Sequence, residues 1–133
     1  MRIKVILERS KTGYSAYSEE LQGVVTVGDT FDEVKVNFKE VLSMEIDYLK
    51  ELGNNERALE LSLAEVVYYL DLNTFFDSYE LFNKTKLATY LGINPSLLRR
   101  LSVEPVELSD KKAKQIQDGL HKLADELKEY HFV

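Results

Sequence analysis

The chain reads as an α+β protein, a small β-β-β-α-β sheet domain followed by an all-helical domain. Three observations predict this. Arg2, Lys4 and Glu8 alternate with Ile3, Val5 and Leu7, the period-2 pattern of a strand with one wet face. Runs rich in β-branched and aromatic residues recur up to residue 72. From Asn73 onward the apolar residues fall at helical spacing, behind a series of capping residues. The switch in composition divides the chain into residues 1–72 and 73–133, with no Pro/Gly/Ser-rich linker between them.

After the first strand, Ser10, Lys11, Thr12 and Gly13 form a turn cluster, and residues 14–17 resume an extended run, so a hairpin is expected. A third strand over residues 24–27 ends at Gly28. Thr30 and Glu33 then make a capping-box pair that opens a helix. Phe31, Val34, Phe38, Val41, Leu42, Tyr48, Leu49 and Leu52 follow as its inward stripe. Gly53, Asn54 and Asn55 stop it. Residues 56–64 read as a short helix or an ordered loop. Residues 66–72 read as a fourth strand, with a helix as the alternative.

The second half is a run of helices. Asn73 or Thr74 caps one that carries Phe75, Phe76, Tyr79 and Phe82. Asn83 caps the next, with Leu87, Ala88 and Leu91 inward and Gly92 at its end. Asn94 caps a third, with Pro95 in its first turn, where a missing N–H costs nothing. Ser109 caps the longest, whose Ala113, Ile116, Leu120, Leu123, Leu127 and Tyr130 form one stripe.

Charge singles out one segment. Residues 83–101 hold four basic side chains and no acid, whereas residues 1–82 hold 8 Lys and Arg against 16 Asp and Glu, and residues 102–133 hold 5 against 7. A positive island in a chain of net charge −6 suits a polyanion. The island also reads as helix, Gly turn, helix, which is how side chains are delivered into a DNA major groove. Asn94, Ser96 and Arg99 then meet base edges, and Arg99 or Arg100 can pair bidentately with guanine. Thr85 and Lys86 sit on phosphate, adding affinity without sequence information. The bland alternative is a helical subdomain whose basic face is merely solvated.

Other chemistries find little footing. Hydrophobic residues make up 44 % of the chain, enough for a core. No apolar run approaches the roughly 18 residues that span a bilayer, and the N-terminus lacks the apolar core of a signal peptide. A cytoplasmic protein is therefore expected. With no cysteine there is no disulfide, thiolate nucleophile or Cys-based zinc site. Asp29, Asp32 and Glu33 cluster as metal-binding carboxylates can, yet acids in a helix's first turn more often serve its dipole. His121 and His131 have no evident nucleophile partner. Tyr14, Tyr17, Tyr68 and Tyr69 offer an aromatic face for RNA, or more simply core and interface rings. No enzymatic activity, cofactor or metal is expected.

One set of motifs has a familiar register. Gly13, Tyr14, Ser15, Ala16 and Tyr17, then Leu21, Gln22 and Gly23, then Val27, Gly28, Asp29, Thr30, Phe31, Asp32 and Glu33, with Asn37 a turn later, resemble the HicB-type antitoxin domain. Ile93, Asn94, Pro95, Ser96, Leu97, Leu98 and Arg99 with the closing helix resemble the helix–turn–helix appended to many HicB proteins. The resemblance spans nearly the whole chain except residues 53–65. Gln22 stands where the family has proline, and Glu104 and Glu107 lie where a Gly- and Lys-containing turn is usual.

The resemblance implies a partial ribonuclease H-like domain without hydrolytic activity, joined to a DNA-binding domain. It further implies a type II antitoxin that neutralises a HicA-like ribonuclease toxin and represses its own operon. The partners so implied are the toxin and operator DNA; a single helix–turn–helix reads one half-site, so a second copy of the chain is also expected, as a dimer or a pair of dimers. An acidic first domain favours a cationic toxin electrostatically. The competing reading is a helix–turn–helix transcription regulator whose first domain senses a ligand.

Overall fold

The computed structural model describes residues 1–104 and 106–133. β1 (Arg2–Arg9) buries Ile3, Val5 and Leu7 and exposes Arg2, Lys4 and Glu8, as its alternation requires. Ser10 N donates to Gly13 O at 2.7 Å, closing the turn into β2 (Tyr14–Tyr17). β2 pairs antiparallel with β1, Leu7 facing Ala16, and then with β3 (Val25–Gly28), Ala16 facing Thr26.

α1 (Phe31–Glu51) starts at Thr30, whose Oγ1 accepts from Glu33 N at 3.1 Å, so the threonine half of the capping box is formed. A Cβ on Gly28 would stand 2.6 Å from Val34 N, so only glycine lets α1 turn back this closely over the end of β3. Asn37 Nδ2 donates to Val27 O at 2.8 Å and fastens the helix to the edge strand. Val34, Phe38 and Leu42 are buried along the inner face. Tyr48 and Leu52, expected in the same stripe, are exposed instead. The reason is length. A helix of 21 residues runs about 31 Å at 1.5 Å per residue, whereas β2 and β3, four residues each, run about 13 Å. The C-terminal half of α1 runs past these two strands and packs on α2 (Asn55–Ser62), with Ile46 and Leu49 partly buried against the core while Tyr48 and Leu52 stay exposed.

Residues 55–62 form the helix α2 because Asn54 Oδ1 accepts from Arg57 N. β4 (Glu65–Tyr69) follows and pairs parallel with β1, Ile3 facing Val66. The strand expected to reach residue 72 stops at Tyr69. Asp71 Oδ1 accepts from Thr74 N at 2.7 Å and starts α3 (Leu72–Ser78), so Asn73 and Thr74 lie inside that helix rather than capping it, and Tyr79 and Phe82 lie past its end. The sheet order is β3-β2-β1-β4, four strands of mixed direction, and the protein is α+β. β3 and β4 run the same way, so the chain must cross over between them, and such a connection takes a dozen or more residues. α1 and α2 supply it.

By contact the chain divides into two units, residues 1–74 and residues 75–133. The first holds one core cluster built from Ile3, Val5, Leu7, Ala16, Leu21, Val24, Val34, Phe38, Leu42 and Leu61. The second is helical. Besides the end of α3 it contains α4 (Lys84–Leu91), α5 (Pro95–Val103) and α6 (Asp110–Lys128). Phe75 stacks on Phe82 with ring centroids 5.8 Å apart. The buried apolar residues of the three long helices are few: Leu87, Ala88 and Leu91 on α4, Leu98 on α5 and Ile116 on α6. The predicted inward stripe of α6 is thus only partly inward. Leu120 and Leu123 are half-buried, while Ala113, Leu127 and Tyr130 are exposed. α6 has 19 residues and packs on α4, which has 8, so the shorter helix covers only part of the stripe. Among the described residues no helix is long and apolar enough to cross a membrane.

Candidate nucleic-acid interface

Two capping asparagines and one glycine shape the basic island. Asn83 ends the preceding loop in extended conformation and its Oδ1 accepts from Lys86 N at 3.0 Å, which starts α4. Gly92 stops that helix at φ 72°, in the left-handed region that glycine enters freely and other residues enter at about 1–2 kcal/mol. Two residues later Asn94 Oδ1 accepts from Ser96 N at 2.9 Å and Leu97 N at 3.4 Å, with Pro95 next, and α5 begins. A helix, a left-handed glycine and a second helix therefore follow within twenty residues. Leu98 and Ser102, one turn apart on α5, are buried.

That burial decides which face of α5 looks outward. Ser96, Arg99, Arg100 and Val103 are exposed at positions i, i+3, i+4 and i+7, one continuous stripe of a helix. Three of the candidate residues thus share a surface. Among the described residues neither guanidinium enters an ion pair, so both remain available to an external anion. Thr85 and Lys86 are exposed in the first turn of α4. Lys84 is different. Its ammonium lies over the Phe76 ring, 5.3 Å from the centroid, a cation–π contact that draws it inward.

Asn94 is also constrained. Bidentate recognition of adenine needs both the oxygen and the nitrogen of an amide, and here the oxygen is already taken by two backbone N–H groups. Only Nδ2 is left to donate. At the other end of α5, Glu104 occupies the C-cap with extended backbone, and it and Glu107 are exposed. Two carboxylates beyond a helix C-terminus are unfavourable both for that dipole and for a nearby phosphate.

α6 buttresses the pair. Gln115 Nε2 donates to Leu91 O at 3.1 Å and Gly92 O at 3.3 Å. Any side chain at Gly119 would run into Leu91, so α6 lies close against α4. Tyr90 Oη donates to Glu126 Oε2 at 3.3 Å, and desolvation together with this carboxylate holds the phenol above its usual pKa. Gln115 was not legible as part of the site, because its partners lie 23 and 24 residues away and no local pattern marks the contact.

The remaining candidates are not assembled into a site. Asp29, Asp32 and Glu33 line the start of α1, and among the described residues no group of three or more His, Cys, Asp or Glu side chains is placed to share a metal ion. His121 and His131 are both exposed. The four tyrosines do not make one aromatic face. Tyr14 packs on Phe31 at 4.6 Å, and Tyr68 is half-buried with the Lys35 ammonium 5.3 Å from its ring centroid. Tyr17 and Tyr69 instead flank Ile6 across the sheet, on its opposite side. Compared with family models and with curated proteins, the chain matches none of either.

Proposed function

We propose that this protein is a DNA-binding antitoxin of the HicB type. Residues 75–133 carry the DNA-binding half of the proposal, with α4 and α5 acting as a helix–turn–helix. The observation that carries it is the single exposed face of α5 bearing Ser96, Arg99 and Arg100, in a stretch free of acids, with Lys86 exposed on the helix before it. On this reading Arg99 reads a base, and Lys86 and Thr85 take phosphates. A single unit of this kind reads one half-site, so the working form is a homodimer.

Residues 1–74 carry the toxin-binding half. The order β3-β2-β1-β4, a three-stranded antiparallel meander with a parallel fourth strand, supports a partial ribonuclease H-like domain. The HicB-like register of Tyr14, Ala16, Gly28, Thr30 and Asn37 supports an antitoxin, and the acidic balance of this half favours a basic ribonuclease as partner.

The test has two arms. The protein is co-expressed with the product of the adjacent gene and scored for pull-down and rescue of growth. It is also titrated against its own upstream DNA. Arg99→Ala is expected to cost about 1–3 kcal/mol and to relax specificity at one position. Lys86→Ala is expected to weaken binding to all sequences and to flatten the dependence of log K on log salt by about one unit. Wild-type affinity in both variants would place the interface elsewhere, and no capture of the neighbour's product would remove the antitoxin.

A further inference from the structure

We propose that Lys112, on a helix outside the acid-free stretch, is a further phosphodiester-contacting residue of the interface, and that Gln115 is the residue that positions it. The inference rests on the DNA-binding reading above and extends the site from two helices to three.

One side-chain amide carries the argument. The last carbonyls of a helix have no partner inside it. Gln115 Nε2 serves two of them at the end of α4, Leu91 O and Gly92 O, at 3.1 and 3.3 Å. The other end of the same amide, Oε1, accepts from Lys112 Nζ at 3.3 Å. The ammonium is therefore tied through one planar group to the turn that leads into Asn94 and α5. Gly119 leaves room for Leu91 one turn further on, which brings α6 near enough for a glutamine to span the gap.

The neighbouring cations are committed differently. Lys114 is paired with Asp118 at 2.8 Å, which raises its pKa and spends its charge locally. Lys84 is held over the Phe76 ring. Lys112 is bound by a neutral amide, which fixes the ammonium without cancelling its charge and leaves two of its three N–H donors for an outside acceptor. Asp110, in the first turn of α6, is the acid nearest to it in sequence and is exposed. A phosphate of the DNA backbone is the acceptor this arrangement suits, because it asks for a point charge and carries no base information.

The test is a salt titration of the full chain by fluorescence anisotropy, on its own upstream duplex and on a duplex of scrambled sequence. Lys112→Ala is expected to flatten the slope of log K against log salt by about one unit on both duplexes. Lys114→Ala, the control, is expected to leave the slope as in wild type. Gln115→Ala is expected to flatten it like Lys112→Ala, and the double variant to add nothing to the slope, the non-additivity of residues acting through each other. Lys112→Ala removes one part-buried hydrogen bond and no apolar core residue, so its result stands whether or not the Gln115 variant folds, and circular dichroism reports the folding of both. A wild-type slope in Lys112→Ala, or equal flattening in Lys114→Ala, overturns this proposal while leaving the DNA reading intact. If the wild-type chain binds neither duplex, the DNA reading falls and this inference falls with it.

Discussion

The two units are held together by different means. Residues 1–74 gather ten buried apolar residues from two strands, two helices and the turn between β2 and β3 into one cluster. The described residues of 75–133 form no sheet, and α5 and α6 each bury a single large apolar residue, Leu98 and Ile116. Their geometry is set by caps and by close approach: Asn83, Gly92, Asn94, Ser109 and Gly119. In the first unit the fold is fixed by what is hidden. In the second a smaller set of buried apolar residues is joined by polar groups at helix ends, and the ends at Asn83, Gly92 and Asn94 lie within the candidate interface. A cap in the second unit is therefore both a stabilising and a positioning residue.

The comparison is tested hardest by core deletion. Phe38, fully buried on α1, should cost about 3–5 kcal/mol when changed to Ala, since lost transfer energy and a cavity add. Leu98→Ala, at an equally buried position on α5, should cost about 2–4 kcal/mol and should also abolish DNA binding. Urea titration followed by circular dichroism gives both numbers, and anisotropy gives the second readout. A larger loss at Leu98 than at Phe38 would reverse the ranking of the two cores.

A pair of glycines separates stability from function more finely. Gly53, after α1, and Gly92, after α4, both have left-handed backbone, at φ 79° and 72°. Gly53→Ala and Gly92→Ala should therefore each cost about 1–2 kcal/mol. Only Gly92→Ala should weaken DNA binding beyond what unfolding explains, because it alone sits between the two helices of the interface. Equal effects on binding would mean that the turn does not orient α5.

Much of this was legible in the sequence, and the failures have physical causes. The alternation in residues 2–8, the Thr30 cap and the Asn83, Asn94 and Ser109 caps are local signals, and each marks the element observed. Spacing cannot report how much partner a helix has. Tyr48, Leu52, Leu127 and Tyr130 have the period of buried residues, yet all four are exposed. Asp71 displaced Asn73 and Thr74 as a cap because several adjacent residues can cap, and tertiary packing chooses among them. The exposed face of α5 follows from its apolar spacing. The bond from Gln115 to the turn does not, because it joins residues that only the packed structure brings together.

The smallest expected effect addresses the most ambiguous residue. Asn94 is a cap by geometry, and by its place at the start of α5 it is also a candidate reader of bases. Asn94→Ala removes both roles and should cost about 1 kcal/mol of stability, the usual worth of such a cap. Asn94→Ser keeps an oxygen that accepts from the helix N–H groups and removes the amide Nδ2. Since the amide oxygen is already bonded to Ser96 N and Leu97 N, only the Nδ2 amino group is lost to DNA. The Ser variant should therefore melt with wild type and retain operator affinity and sequence preference. Retained stability with relaxed preference at one base pair would instead assign Nδ2 to that base, and the second unit would then have a residue that caps and reads at once.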